Sequence, residues 1–165
     1  MAFDPALVEA AKAVLAVAKA RKLSIVTAES CTSGLLASVL SEAPGAAELL
    51  DGGFVTYTKH NKTLVLGVPE ELLRTESAVC EEVARAMAEG ALERSAAELS
   101  VAITGVAGPA PDEDGNPVGL VCISVARRGH RTHSFQRSYG DLGRDGVRER
   151  AMQDALAALR DAAQL

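Results

Sequence analysis

Ser24-Ile25-Val26-Thr27-Ala28-Glu29-Ser30-Cys31-Thr32-Ser33-Gly34 passes from a short β-branched run into a cluster of small polar residues. The first half suits a buried strand. The second half precedes Leu35-Leu36-Ala37-Ser38-Val39-Leu40, whose apolar residues fall on one side of a helix. Ser30 or Thr32 is the natural N-cap, its oxygen meeting N–H groups that have no partner inside the helix. A strand end that turns into a helix N-terminus also gathers free N–H donors and positive dipole, which suits an anion or a developing oxyanion. The stretch therefore reads either as strand, cap and helix, or as a loop carrying a nucleophile.

Upstream, Asp4 or Pro5 opens a helix with Leu7, Val8, Ala11, Val14, Leu15 and Ala18 on one face, closed by Lys19, Arg21 and Lys22. Downstream, Pro44-Gly45 breaks the second helix, and Asp51-Gly52-Gly53 leads into a strand over Phe54-Val55-Thr56-Tyr57. A short helix is expected within Thr58–Leu66, ending at Gly67, and another begins at Pro69 with acidic residues in its first turn. A longer helix runs from about Cys80 to Ser95. A strand follows over Leu99–Thr104, with a tight turn at Gly105-Val106-Ala107-Gly108-Pro109. Val118–Ala126 and Thr132–Tyr139 read as a hairpin around Gly129, and the last helix spans roughly Arg144 to Ala162. This order implies one domain over residues 1–165, a three-layer α/β/α fold with a mixed, mostly parallel sheet.

The 165 residues suffice for one real core. Aromatic residues make up only 3% and Trp is absent, so Ala, Leu and Val must fill it. A formal net charge of −5 gives no footprint for binding nucleic acid or an anionic membrane. No apolar run approaches a membrane span, and Met1-Ala2-Phe3-Asp4-Pro5 lacks the regions of a signal peptide. Cys31, Cys80 and Cys122 are widely spaced, which argues against a disulfide framework or a zinc site and for a reducing cytoplasm.

In such sheets ligands gather beyond the C-terminal strand ends. Glu29–Gly34, Tyr57–Lys62 and Thr104–Pro109 are the candidates for that edge. Ser30 could act as nucleophile, Lys62 as base and Tyr57 as relay or orienting group. A serine hydroxyl needs a neighbour to take its proton, and a lysine can do so only when burial lowers its pKa. Each has a plainer alternative: a cap for Ser30, a solvated helix position for Lys62, a core-edge ring for Tyr57. His60, His130 and His133 lie where exposure is the default, and none has a partner at metal-ligand spacing. Asp112, Glu113 and Asp114 read as a solvated loop. Arg144 and Arg148, one helical turn apart, suit a phosphate clamp or an exposed face paired with Asp141 and Asp145.

Three ordered blocks carry a resemblance over nearly the whole chain. They are Thr27-Ala28-Glu29-Ser30-Cys31-Thr32-Ser33-Gly34, then Gly53-Phe54-Val55-Thr56-Tyr57 with Lys62 five residues on, then Thr104-Gly105-Val106-Ala107-Gly108-Pro109 followed by Pro117-Val118-Gly119. The chain resembles the CinA C-terminal domain family, whose stand-alone members are nicotinamide-nucleotide amidohydrolases. The larger N-terminal domain of some members has no counterpart in these blocks. The resemblance implies hydrolysis of the carboxamide of nicotinamide mononucleotide to nicotinate mononucleotide and ammonia. It implies Ser30, Lys62 and Tyr57 as the catalytic group, no metal or organic cofactor, and a homo-oligomer. Glu29, Thr32, Ser33 and Gly34 from the first block are the implied substrate-binding residues there. Thr104, Gly105, Ala107 and Gly108 from the third block join them, with Arg148 on the phosphate. Four departures bear on substrate preference. Ser33 stands where the family usually has Gly, and Cys80 where Ser is common. Thr58-Lys59-His60-Asn61 replaces the usual Ser-Asn-Glu-Ala, and Tyr139–Gly143 is unusual in spacing.

Overall fold

A computed structural model describes residues 3–165. The chain runs α1 (Pro5–Arg21), β1 (Ile25–Glu29), α2 (Leu35–Ser41), α3 (Ala46–Leu49), β2 (Leu50–Val55), α4 (Lys59–Leu66), α5 (Glu70–Thr75) and α6 (Glu81–Glu93). It continues with β3 (Leu99–Gly105), β4 (Leu120–Arg127), β5 (His133–Ser138) and α7 (Gly143–Gln164). The five strands form one sheet in the order β2-β1-β3-β4-β5. β1 pairs in parallel with both β2 and β3, while the β3–β4 and β4–β5 pairings are antiparallel. The sheet is thus mixed, with four of its five strands pointing the same way.

Alternation along the strands sends side chains to two cores. Ile25, Val101, Ile103, Val121, Ile123 and Val125 face α1, α2 and α7, meeting Leu15, Leu36, Leu40, Leu156 and Leu159. Val26, Ala28, Ala102 and Ala126 face the other way, against Leu66 of α4, Leu73 of α5 and Val83, Met87 and Ala91 of α6. With helices on both faces, β1 and β3 have no exposed side, so they read as continuous apolar runs. The second face is built of small residues, which lets α6 lie close to its neighbours. Ser100 on that face donates its buried hydroxyl to the Ala88 carbonyl at 2.7 Å.

Several boundaries differ from expectation. Neither Ser30 nor Thr32 caps α2: that helix starts at Leu35, Gly34 is its N-cap residue, and no cap side chain bonds the first turn. The Glu29 carboxylate does so instead, accepting from Gly34, Leu36 and Ala37 N–H at 3.0, 3.1 and 2.9 Å. The turn between Ser30 and Gly34 separates hydroxyl and helix, and only the longer glutamate reaches across it. β2 begins at Leu50 rather than Phe54. Its glycines pair with Val26 and Thr27 of β1, and at Gly53 a Cβ would lie 2.5 Å from Thr27 Oγ1. α3 is a single turn following the Pro44-Gly45 break. Cys80 is the N-cap residue of α6 and makes no side-chain cap bond.

A Cβ at Gly90 of α6 would run into the Leu66 carbonyl oxygen at the end of α4. Gly90→Ala is expected to cost about 1–3 kcal/mol through overpacking. Thermal and urea denaturation would both register the loss, and an unchanged midpoint would refute the close helix contact.

Candidate active site

The parallel trio β2-β1-β3 brings three strand C-termini to one edge. Ser30 follows β1, Thr56 and Tyr57 follow β2, and Gly105 ends β3. Backbone bonds hold these exits together: Ser30 N–H donates to Ile103 O at 2.9 Å and Thr56 N–H to Glu29 O at 2.8 Å. Gly119 N–H donates to Val106 O at 2.8 Å, bringing the start of β4 to the same edge. Between them lies a cavity of about 450 Å³, whose lining includes Ser30, Cys31, Tyr57, Lys62, Thr104 and Arg144.

α4 delivers Lys62 to this edge. Thr58 caps it, its Oγ1 accepting from Asn61 N–H at 3.1 Å. Lys62 and Leu66, one turn apart, face inward. Lys62 is 1% exposed, and Nζ lies 2.9 Å from Ser30 Oγ and 3.0 Å from Thr56 O, donating to both. Among the described residues no carboxylate bonds this amine. Burial pulls its pKa down from the ordinary lysine value of 10.5 to about 8, with the nearby Lys59 charge acting in the same direction and Cys31 opposing. An appreciable fraction is therefore neutral near physiological pH, and a neutral amine can accept the Ser30 proton along the same 2.9 Å line. The neighbouring Cys31 thiol is pushed up to about 12, chiefly by burial. It stays protonated, and a protonated thiol is a poor nucleophile.

The other expected residues separate into lining and support. Thr104, Gly105, Ala107 and Gly108 line the cavity, with Thr104 Oγ1 donating to Ala78 O at 2.7 Å. Tyr57 stands half exposed at the mouth, its hydroxyl accepting from Arg144 Nη2 at 3.0 Å. Among the described residues it bonds to neither Ser30 nor Lys62, so the dyad has a direct proton path that bypasses the ring. Glu29, Thr32, Ser33 and Gly34 do not line the cavity. Glu29 is fully buried, its oxygens taken by α2 and by Thr27 Oγ1. Ser33 occupies left-handed backbone at φ 52° even though it is not glycine, and Gly34 follows at 92°. These four shape the turn from behind.

The structure places the two arginines differently. Arg144 faces the cavity and also donates to Gly108 O at 2.7 Å, whereas Arg148 lies outside the lining and donates to Cys31 O at 2.8 Å. Arg148, one turn further along α7, meets the backbone of the Ser30–Gly34 turn instead.

Asp112, Glu113 and Asp114, read as solvent-facing, form an outer wall. Asp114 binds Lys59 Nζ at 2.7 Å and accepts from Ala78 N–H at 3.3 Å, while Asn116 Nδ2 donates to Ser77 Oγ at 2.9 Å. Those partners are distant in sequence, and nothing local announces them. His60, His130 and His133 are exposed and outside the cavity. Among the described residues no group of three or more His, Cys, Asp or Glu could hold a metal ion.

Between about pH 8 and the ordinary lysine value of 10.5, the folded chain holds fewer protons at Lys62 than the unfolded chain, so stability rises with pH across that window. Below it the buried charge opposes folding by on the order of 3 kcal/mol. Lys62→Met is therefore expected to melt above the parent chain at pH 7, the gap closing as pH climbs through that range. A gap that is constant with pH would contradict a depressed amine. Glu29→Gln is expected to cost about 1–3 kcal/mol by weakening the bonds to α2. Denaturant midpoints would measure it.

The family model described as the CinA C-terminal domain matches residues 8–163. A putative competence-damage inducible protein of Symbiobacterium thermophilum is 47% identical over 149 residues, covering 85% of this chain and 34% of its own length. A CinA-like protein of Akkermansia muciniphila is 44% identical, covering 96% of this chain and 38% of its own length. The chain thus spans little more than a third of the curated relatives it matches. The crystal structure of competence/damage inducible protein CihA from Agrobacterium tumefaciens superposes with a TM-score of 0.94 at 39% identity, covering 100% of this chain and 99% of that one. A CinA superfamily protein from Klebsiella pneumoniae gives 0.91 at 34% identity, over 96% and 98%. With a family model running almost end to end and relatives this similar, the chain belongs to the CinA C-terminal domain family.

Proposed function

We propose that this chain is a serine amidohydrolase that cleaves the carboxamide of nicotinamide mononucleotide, yielding nicotinate mononucleotide and ammonia. The observation that carries the reading is the buried Lys62 amine 2.9 Å from the Ser30 hydroxyl, at the base of a nucleotide-sized cavity. Neutral Lys62 takes the hydroxyl proton as Ser30 Oγ bonds to the amide carbon. As the tetrahedral intermediate collapses, the C–N bond breaks and Lys62 returns the proton to the departing nitrogen, releasing ammonia. Water then gives a proton to Lys62 and attacks the acyl carbon. The Ser30 ester opens and the hydroxyl recovers its proton.

The Cys31 N–H makes no hydrogen bond to another described residue, which suits it to the oxyanion, as befits the amide following a nucleophile. Ser33 and Gly34 N–H are already engaged by Ser30 O and Glu29. Arg144 and Tyr57 at the mouth offer a cation and a hydroxyl to the substrate phosphate. The same reading takes residues 1–165 as one cytoplasmic amidohydrolase domain, working as a homo-oligomer in pyridine nucleotide salvage without a cofactor.

A rival reading is a binding or regulatory module, in keeping with relatives named for competence and damage. Ammonia release from nicotinamide mononucleotide, nicotinamide riboside and other small amides separates the two. Hydrolysis is expected, with Ser30→Ala folded and at least about a hundredfold slower. No release from any amide, while the nucleotide still protects against heat, would favour the module. The base must be neutral to work, so kcat/KM is expected to rise with pH through about 8 and then level off. A profile flat from acidic to alkaline pH would remove Lys62 as the base.

A further inference from the structure

Arg148 is absent from the cavity wall, yet its Nε bond to the Cys31 carbonyl joins α7 to the nucleophile loop across 117 residues of chain. The preceding carbonyl, that of Ser30, is also held. It accepts from Ser33 N–H at 3.1 Å and from Ser33 Oγ at 3.3 Å. Ser33 makes these contacts from left-handed backbone at φ 52°, a conformation costly to a residue with a Cβ. Both peptide units flanking the Cys31 Cα are therefore anchored through their oxygens.

Anchoring both fixes the direction of the N–H between Ser30 and Cys31. That N–H has no partner in another described residue, and Cys31 borders the cavity beside the Ser30 hydroxyl. An oxyanion donor contributes only when its direction is set before charge develops. A guanidinium holds a carbonyl more firmly than a neutral donor does, and it also polarises the backbone it binds.

We propose that Arg148 is a positioning residue. By holding the Cys31 carbonyl it locks the nucleophile loop with the Cys31 N–H aimed at the oxyanion, and it makes no contact with the substrate. The inference rests on Ser30 being the nucleophile. It differs from a phosphate clamp, in which the same guanidinium would bind the substrate's anion.

Arg148→Met and Arg148→Lys would be compared with the parent chain on nicotinamide mononucleotide and nicotinamide riboside. Each would also be titrated with phenylboronic acid, whose boron forms a tetrahedral adduct with a serine oxygen. Melting curves fix a temperature at which all three are folded. Arg148→Met is expected to lose at least about tenfold in kcat on both compounds, with KM changed less than about twofold. Its affinity for phenylboronic acid should fall by a similar factor, and Arg148→Lys should recover part of each loss. A loss confined to the nucleotide and appearing in KM would make Arg148 a substrate ligand and overturn the proposal. So would unchanged kcat or unchanged boronate affinity in Arg148→Met while the parent chain is active. A parent chain that neither releases ammonia nor binds phenylboronic acid would sink the Ser30 reading and this inference with it.

Discussion

The site depends on an amine that has been taken out of water without a carboxylate to balance it. Lys62 is the largest of the fully buried side chains, and its polar partners are a hydroxyl and a backbone carbonyl. A buried ammonium with a carboxylate partner would keep its proton; one facing only neutral dipoles gives it up more readily. The fold supports this at a cost in stability, since a charged Lys62 opposes burial. Helices on both faces of the sheet and the tight α4–α6 contact at Gly90 keep the amine in place despite that cost.

Around the amine, the molecule divides its polar groups between those that line the cavity and those that hold its walls. Glu29, next to Ser30 in sequence, gives its carboxylate to the first turn of α2 and to the Thr27 hydroxyl, and thereby fixes where the loop begins. Arg148 and Ser33 fix the loop from behind, and Arg144 ties Tyr57 to Gly108 across the mouth. The Ser30–Lys62 pair sits inside a ring of contacts made largely to main-chain atoms. Side-chain identity matters most where those contacts originate.

Periodicity made most elements legible. The apolar stripe of α1, the β-branched runs of β1 and β3 and the hairpin of β4 and β5 each followed from local pattern, because burial on one or both faces imposes that pattern. Ser30 and Lys62 stood out as chemical types, but their convergence depends on β1 and β2 being parallel neighbours, a non-local fact that spacing alone does not contain. The capping role of Glu29 escaped because a glutamate five residues ahead of the N-cap lies outside the usual capping pattern. Arg144 and Arg148 share one face of α7, and which of them reaches the cavity depends on where that helix sits along its axis, which a 3.6-residue period leaves open by one turn. The acidic loop is solvent-exposed as its composition implies, but its place at the cavity rim was not legible because its partners, Lys59 and Ala78, lie far away in the chain.

The Lys62 amine bonds the carbonyl of Thr56, only six residues back, and Thr58 between them starts the helix. This short segment has no slack: adding or deleting one residue would swing the amine about 100° around the α4 axis and out of the protein. The loop from Pro109 to Pro117 is pinned mainly by side chains at Asp114 and Asn116, and its backbone leaves the sheet only between Gly105 and Leu120. Length variation among homologous domains should therefore accumulate in that outer loop and be nearly forbidden between Thr56 and Lys62. Evolution can resize the cavity's rim while the spacing beneath it stays fixed.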